Sequence, residues 1–246
     1  MKKLMLIGGG DIGRGNTSYE TEIIDKEIVK MTGKENPNVL FVGLASSFSD
    51  SYFDIIKNIY KNLGCTPVYL KKKNIINNPD IVKNKIKEAD IIYFGGGDTI
   101  KLMENIKEYN LLPLFKEACD NGTVMAGMSA GAIMLCKEGY SDSYKLRGES
   151  DSFDFVDGCG FVDISFCPHY EDGSERKNDL IDDLNDNNRL VYACSNNTAL
   201  KVIDNSYEVI KSVSNKEAYL VTLDGQLKEE VLRSGEFIWQ NMKNML

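Results

Sequence analysis

The sequence predicts a three-layer α/β protein, a mostly parallel sheet with helices on both faces, followed by a β-rich C-terminal extension. Three observations carry that expectation. Short apolar runs alternate with amphipathic stretches through the first half of the 246-residue chain, the pattern of strands buried on both faces and joined by helices. Glycine triplets stop two of these runs, at Gly8-Gly9-Gly10 and Gly95-Gly96-Gly97, as sharp turns at strand ends require. Beyond Gly139 the helical period fades and short β-like runs take over.

The elements follow in order. Leu4–Ile7 reads as a strand and Tyr19–Met31 as a helix. Val39–Leu44 is a second strand, with a helix over Asp50–Leu63 behind it. Pro67–Leu70 makes a short third strand, and Pro79–Glu88 a helix opened by its proline, whose missing N–H costs nothing in a first turn. Ile91–Phe94 is a strand, and Asp98 is placed to cap the next helix. Val124–Gly127 leads into Ser129. Ser141 to Asp163 is polar and lacks a helix period, so irregular connections or a hairpin are expected there. Val162–Cys167 reads as a strand and Ser174–Leu184 as a helix. Leu190–Cys194, Ala199–Ile203, Glu208–Ile210 and Ala218–Thr222 complete the β-rich tail. With no linker, repeat or low-complexity tract, residues 1–246 are expected to form one domain.

Composition narrows the function. A formal net charge of −8 argues against nucleic acid or an anionic membrane as partner, because both select basic surfaces. The Lys71-Lys72-Lys73 run reads as a solvated loop face. The apolar stretch after Met1-Lys2-Lys3 ends at Gly8, too short for a signal peptide, and no run approaches spanning length. Six cysteines without a Cys-x-x-Cys pair, beside a single histidine, leave no zinc-ligand cluster. Reduced thiols in the cytoplasm are the expectation.

The chemistry converges on that single histidine, His169, in Phe166-Cys167-Pro168-His169-Tyr170. The chain also carries Gly127-Met128-Ser129-Ala130-Gly131. Glycines two before and two after a serine let a strand turn sharply into a helix and leave the hydroxyl exposed. A serine hydroxyl needs a base, and His169 is the one imidazole available. The glycines of Gly95-Gly96-Gly97-Asp98-Thr99 lie at the carboxyl end of a parallel strand, where ligands of such sheets bind. There a bare N–H can face a substrate oxygen. Gly8-Gly9-Gly10-Asp11-Ile12-Gly13 fits G-x-G-x-x-G. However, no helix opens at once behind it and no acid ends the second strand at Ala45-Ser46-Ser47, so a dinucleotide site is not expected. A third residue should orient the imidazole. Asp142, Glu149, Asp151, Asp154, Asp157 and Asp163 lie between serine and histidine, and charge alone does not choose among them.

Taken in order, the Gly-Gly-Gly-Asp-Thr, Gly-Met-Ser-Ala-Gly and Cys-Pro-His-Tyr segments resemble the dipeptidase E and cyanophycinase group of serine peptidases, peptidase family S51. The resemblance runs from the first strand to about Leu184. It implies a class I glutamine amidotransferase-like, flavodoxin-like fold and hydrolysis of small peptides through an acyl-enzyme. No metal or organic cofactor is implied; the partner would be a small peptide substrate, and the oligomeric state is left open. Ser129 matches the family nucleophile and His169 its base. The N–H groups of Gly97 and Ala130 match the oxyanion hole. Asp142, in Tyr140-Ser141-Asp142-Ser143, matches the acidic member, and Arg176 a basic segment that would meet a substrate carboxylate. Asp98 and Thr99, beside the oxyanion glycines, complete the expected substrate contacts. The chain departs from the family at Asp98, where asparagine is usual, and at Asn197-Thr198-Ala199-Leu200, which replaces an Asp-Gly turn. An α/β-hydrolase esterase and a catalytically inactive small-molecule-binding member of the same fold are the alternatives.

Overall fold

Past their first residues the strands of the first half are apolar almost throughout, because each face has its own core to fill. The computed structural model describes residues 1–47, 49–186, 189–223 and 226–237. Its first half runs β1 (Lys3–Ile7), α1 (Glu22–Thr32), β2 (Asn38–Val42), α2 (Asp50–Asn62), β3 (Thr66–Tyr69), α3 (Lys72–Asn77), α4 (Pro79–Glu88), β4 (Ile91–Phe94), α5 (Thr99–Glu108), α6 (Leu112–Asp120), β5 (Val124–Met128) and α7 (Ala130–Leu135). Side chains alternate across a strand, and here the two sets join different clusters. Leu4, Leu6, Leu40, Val42, Ile92, Phe94 and Met125 pack with α4, α5, α6 and α7. Met5, Ile7, Val39, Phe41, Ile91, Tyr93 and Ala126 pack with α1 and α2. The three layers follow directly from that division.

The helices form where the spacing allows. In α2, Tyr52, Ile56, Ile59 and Tyr60 are buried at helical intervals, and the Ser49 hydroxyl caps the helix by accepting from Tyr52 N–H. α1 ends at Gly33, which takes the left-handed conformation at φ 71°.

The second half runs β6 (Cys136–Ser141), α8 (Ser143–Arg147), β7 (Asp154–Asp157), β8 (Val162–Cys167), α9 (Glu175–Asp186), β9 (Leu190–Cys194), β10 (Thr198–Ile203), β11 (Ser206–Lys211), β12 (Ala218–Leu223), β13 (Leu227–Val231) and β14 (Ser234–Glu236). The described strands form two sheets, in the orders β14-β11-β10-β1-β5-β4-β2-β3 and β13-β12-β9-β8-β6-β7. The five strands of the first half are mutually parallel, whereas β10 returns antiparallel to β1 and extends that sheet. Parallel β6, β8 and β9 form the middle of the second sheet. All six residues of α7 are buried, because this helix leaves the first sheet at β5 and delivers the chain to the second at β6.

Several expectations needed correction. Ser141–Asp163 is not wholly irregular: it contains α8 and β7, and β7 returns antiparallel to β6, as the hairpin alternative expects. The first helix begins at Glu22 rather than Tyr19, since Tyr19 bridges back to Ile12. Lys71–Lys73 are exposed as expected, yet Lys72 and Lys73 begin α3. Short elements such as α3 and α6 carry too few turns for a clear period. All six cysteines are free and buried.

Candidate active site

The serine stands on a turn that few side chains would tolerate. Ser129 has φ 53° and ψ −112°, a conformation that costs a residue with a Cβ about 1–3 kcal/mol. Two glycines make it possible. A Cβ on Gly127 would lie 2.2 Å from Gly131 O, and one on Gly131 would lie 2.2 Å from Phe94 O. Ser129 N–H donates to Ile7 O at 3.0 Å, and Ser129 O accepts from Ala132 and Ile133 N–H. The elbow is thereby tied to β1 on one side and to α7 on the other.

The histidine arrives from the other sheet. His169 follows β8 with φ 55°, and its N–H donates to Gly8 O at 2.8 Å. Its Nε2 lies 2.8 Å from Ser129 Oγ, and its Nδ1 lies 2.7 Å from Asn196 Oδ1. An amide oxygen only accepts, so Nδ1 carries the proton and Nε2 is left to accept from the serine hydroxyl. Burial, and then the charge of Arg176, hold the His169 pKa below the ordinary imidazole value, against the opposing pull of Asn196, Asp142 and Glu171. The neutral form needed by a base is therefore favoured at neutral pH.

Asn196 is held in turn. Its N–H donates to Glu171 Oε1 at 2.7 Å, and Glu171 Oε2 meets Lys216 Nζ at 2.5 Å. The first glycine triplet makes room for the pair. A Cβ on Gly9 would lie 2.3 Å from His169 Cε1 and 2.4 Å from Asn196 Oδ1. The G-x-G-x-x-G segment thus clears space for His169 and Asn196, and no helix opens until Glu22.

Asp142 is not the partner of His169. Its Oδ2 lies 3.1 Å from Arg176 Nη2, while Arg176 Nη1 donates to Tyr140 O at 2.7 Å. Arg176 is 6% exposed and lies over the Phe153 ring. Its charge is spent inside the protein, which removes it as an open receptor for a substrate carboxylate. Asp98 is equally committed. It caps α5 through Lys101 N–H at 3.1 Å and pairs with Arg147 Nε at 3.0 Å, so its extra charge is neutralised. Thr99 is buried, with its N–H on Ser143 Oγ and its hydroxyl against Ser141 Oγ. Asp98 and Thr99 support the strand end from behind rather than lining the cleft. Asn196 had no signal in the sequence beyond being polar, since its role depends on β9 ending beside β8.

Gly97 lies in the turn between β4 and α5. Its φ of 143° suits glycine, and a Cβ there would lie 2.5 Å from Ala45 O. With Gly96, Ser129 and His169 it lines a cleft of about 330 Å³ that also meets Tyr52 and Arg14. Gly96 N–H is taken by Tyr52 Oη at 3.1 Å. The N–H groups of Gly97 and Ala130 have no acceptor among the described residues. On the far side of His169 lies a second cavity of about 340 Å³, bordered by Asp11, Glu20, Asn196, Asn197 and Lys216. A roomier cavity of about 770 Å³ between α5 and β7 is bordered by neither Ser129 nor His169. Among the described residues no cluster of three or more His, Cys, Asp or Glu is placed to hold a metal ion. No described helix is long and apolar enough to cross a membrane.

Comparison with known proteins decides the family. The model of peptidase family S51 matches residues 4–210. The chain belongs to peptidase family S51. Among relatives of this S51 peptidase, the uncharacterized peptidase YgaJ of Bacillus subtilis (strain 168) is 33% identical over 228 residues, covering 91% of this chain and 93% of the relative. Peptidase E of Nostoc sp. (strain PCC 7120 / SAG 25.82 / UTEX 2576) is 26% identical over 240 residues, covering 93% and 92%. The crystal structure of a peptidase from an acI-B1 Actinobacterium superposes with a TM-score of 0.70 at 20% identity, covering 96% of this chain and 97% of that one. That likeness is one of fold. The S51 chain is a peptidase of mixed α/β architecture with additional C-terminal strands.

Proposed function

We propose that this S51 peptidase hydrolyses small peptides through an acyl-enzyme, with Ser129 as nucleophile, His169 as general base and Asn196 as the residue that orients the imidazole. The observation that carries this reading is the 2.8 Å contact between His169 Nε2 and Ser129 Oγ, made by a serine on a strained strand-to-helix turn. In this mechanism His169 takes the Ser129 proton as Oγ attacks the scissile carbonyl. The developing oxyanion is received by the N–H groups of Gly97 and Ala130, which have no acceptor of their own. The imidazolium then protonates the leaving amine. Water, deprotonated by His169, releases the acyl group and restores Ser129.

An amide in the third position is compatible with this chemistry. The orienting residue sets tautomer and ring position without itself taking a proton, and papain-like proteases use asparagine in that role. What Asn196 lacks is negative charge to stabilise the imidazolium. Asp142 lies near enough to act on His169 but is offset by Arg176.

The test combines a fluorophosphonate probe with a panel of dipeptides (Asp-X, Glu-X, Ala-X and isoaspartyl). Labelling of wild type that is lost in Ser129→Ala, together with peptide cleavage lost in His169→Ala, is the expected result. Absence of labelling in well-folded protein defeats the proposal. Short acyl esters cleaved much faster than every dipeptide would point to an esterase.

A further inference from the structure

We infer that Arg14 is the specificity-determining residue of this cleft, a receptor for a carboxylate carried by the peptide substrate. The inference rests on the reading of Ser129 as the nucleophile of a small-peptide hydrolase, and it concerns what that nucleophile is given to cut.

The sequence holds five arginines, and four of them face carboxylates: Arg147 on Asp98, Arg176 on Asp142, Arg189 on Glu138 and Arg233 on Glu217. Arg14 has no carboxylate partner among the described residues. It is exposed, and its guanidinium carbon lies 3.8 Å from the centre of the Tyr52 ring. An arginine on an aromatic face keeps the N–H groups at its edge free for a bidentate acceptor. The same side chain borders the cleft that contains Ser129, His169 and Gly97.

Its position is registered to the reacting centre from two sides. Tyr52 is buried, and its hydroxyl accepts Gly96 N–H, one residue before the proposed oxyanion donor. The loop that carries Arg14 is pinned at its base by the Ile12–Tyr19 bridge, by Gly13 N–H on Ser18 O at 3.1 Å and by Tyr19 Oη on Asp25 at 3.0 Å. The loop also has a polarity. Asp11, three residues earlier, borders this cleft as well as the cavity shared with Glu20 beyond His169, so the loop brings one negative and one positive group to the cleft, and an anion is drawn to the Arg14 end. In a chain of formal net charge −8, an arginine that borders the cleft with no carboxylate partner among the described residues is the local feature that would hold a negatively charged substrate. Arg176, buried on Asp142 and Tyr140 O, is not open to it.

The carboxylate has two sources, the C-terminus of a short peptide or an acidic side chain. Two matched substrate pairs separate them: a neutral dipeptide against its C-terminal amide, and Asp-X-amide against Asn-X-amide. The reading is the ratio of kcat/KM within each pair for wild type, Arg14→Lys and Arg14→Met. Wild type should favour the carboxylate in one pair by roughly 10- to 100-fold, the worth of a charge-assisted hydrogen bond. Arg14→Met should bring that ratio close to one. Arg14→Lys, which keeps the charge and loses the fork, should fall between them. Calorimetric binding of the same pairs to Ser129→Ala and to Ser129→Ala/Arg14→Met reads the preference without turnover. Selective binding that depends on Arg14 in a chain that cleaves no peptide would sink the hydrolase reading and leave Arg14 standing. No preference in either pair, or a ratio that persists in Arg14→Met, overturns the assignment of Arg14.

Discussion

The serine side and the histidine side of the cleft are built in opposite ways. Ser129 is positioned by its immediate neighbours: β5 before it, α7 after it, and two glycines at which any Cβ would collide with backbone. His169 is positioned by convergence. Its N–H is held by Gly8, its Nδ1 by Asn196, and room for its ring is left by Gly9, residues drawn from the first strand's end and from the turn after β9. A locally encoded element fails when one neighbour changes, whereas a converged one depends on distant strands arriving in register.

The largest effect should come from removing the proposed nucleophile. Ser129→Ala is expected to cost about a million-fold in kcat with the fold intact, read by steady-state peptide cleavage beside circular dichroism. Next comes the elbow itself. Gly131→Val places a side chain against Phe94 O, and a stability loss above about 3 kcal/mol is expected from denaturant unfolding. A well-folded, active Gly131→Val would break the claim that the serine side is set locally.

The converged side should give graded losses. Asn196→Ala is expected to lower kcat/KM by roughly 100- to 10,000-fold, because the imidazole loses both tautomer and orientation. Asp142→Asn should stay within about tenfold, since Asp142 pairs with Arg176 rather than with His169. The reverse order would restore Asp142 as the orienting residue. The smallest and sharpest reading is the pH profile. The folded-state pKa of His169 is depressed by burial and by Arg176, so activity should hold as pH falls through 6.5 and decline below it. Stability follows the same sign: the neutral imidazole's contribution is present above the unfolded pKa and is lost as pH falls through the lower folded value. Asn196→Asp adds a negative charge at Nδ1 and should move the acid limb of the profile upward.

Much of this was legible in the sequence. The near-continuous apolar runs announced a sheet covered on both faces, because each apolar residue along them had to find an apolar neighbour whichever way it pointed. The elbow was legible for the same local reason, since Gly-x-Ser-x-Gly at the end of a strand has few other uses. His169 was legible by its singularity. The third member was not. Six carboxylates between serine and histidine carried equal signal, and the residue beside the imidazole proved to be an amide beyond them. Arg176 and Asp98 looked available because charge in a sequence carries no record of its partner.

The sequence by itself therefore determined the layers and singled out Ser129 and His169 as the proposed nucleophile and base, all of which follow from local pattern and side-chain chemistry. Tertiary structure alone decided that Asn196 rather than Asp142 meets His169, that Arg176 is consumed internally, and that Arg14 is left facing the cleft. Those are questions of which charges and hydrogen-bonding groups neutralise one another. The answers depend on distances of about 3 Å between residues as many as 160 positions apart, as between Gly8 and His169, and no periodicity records them.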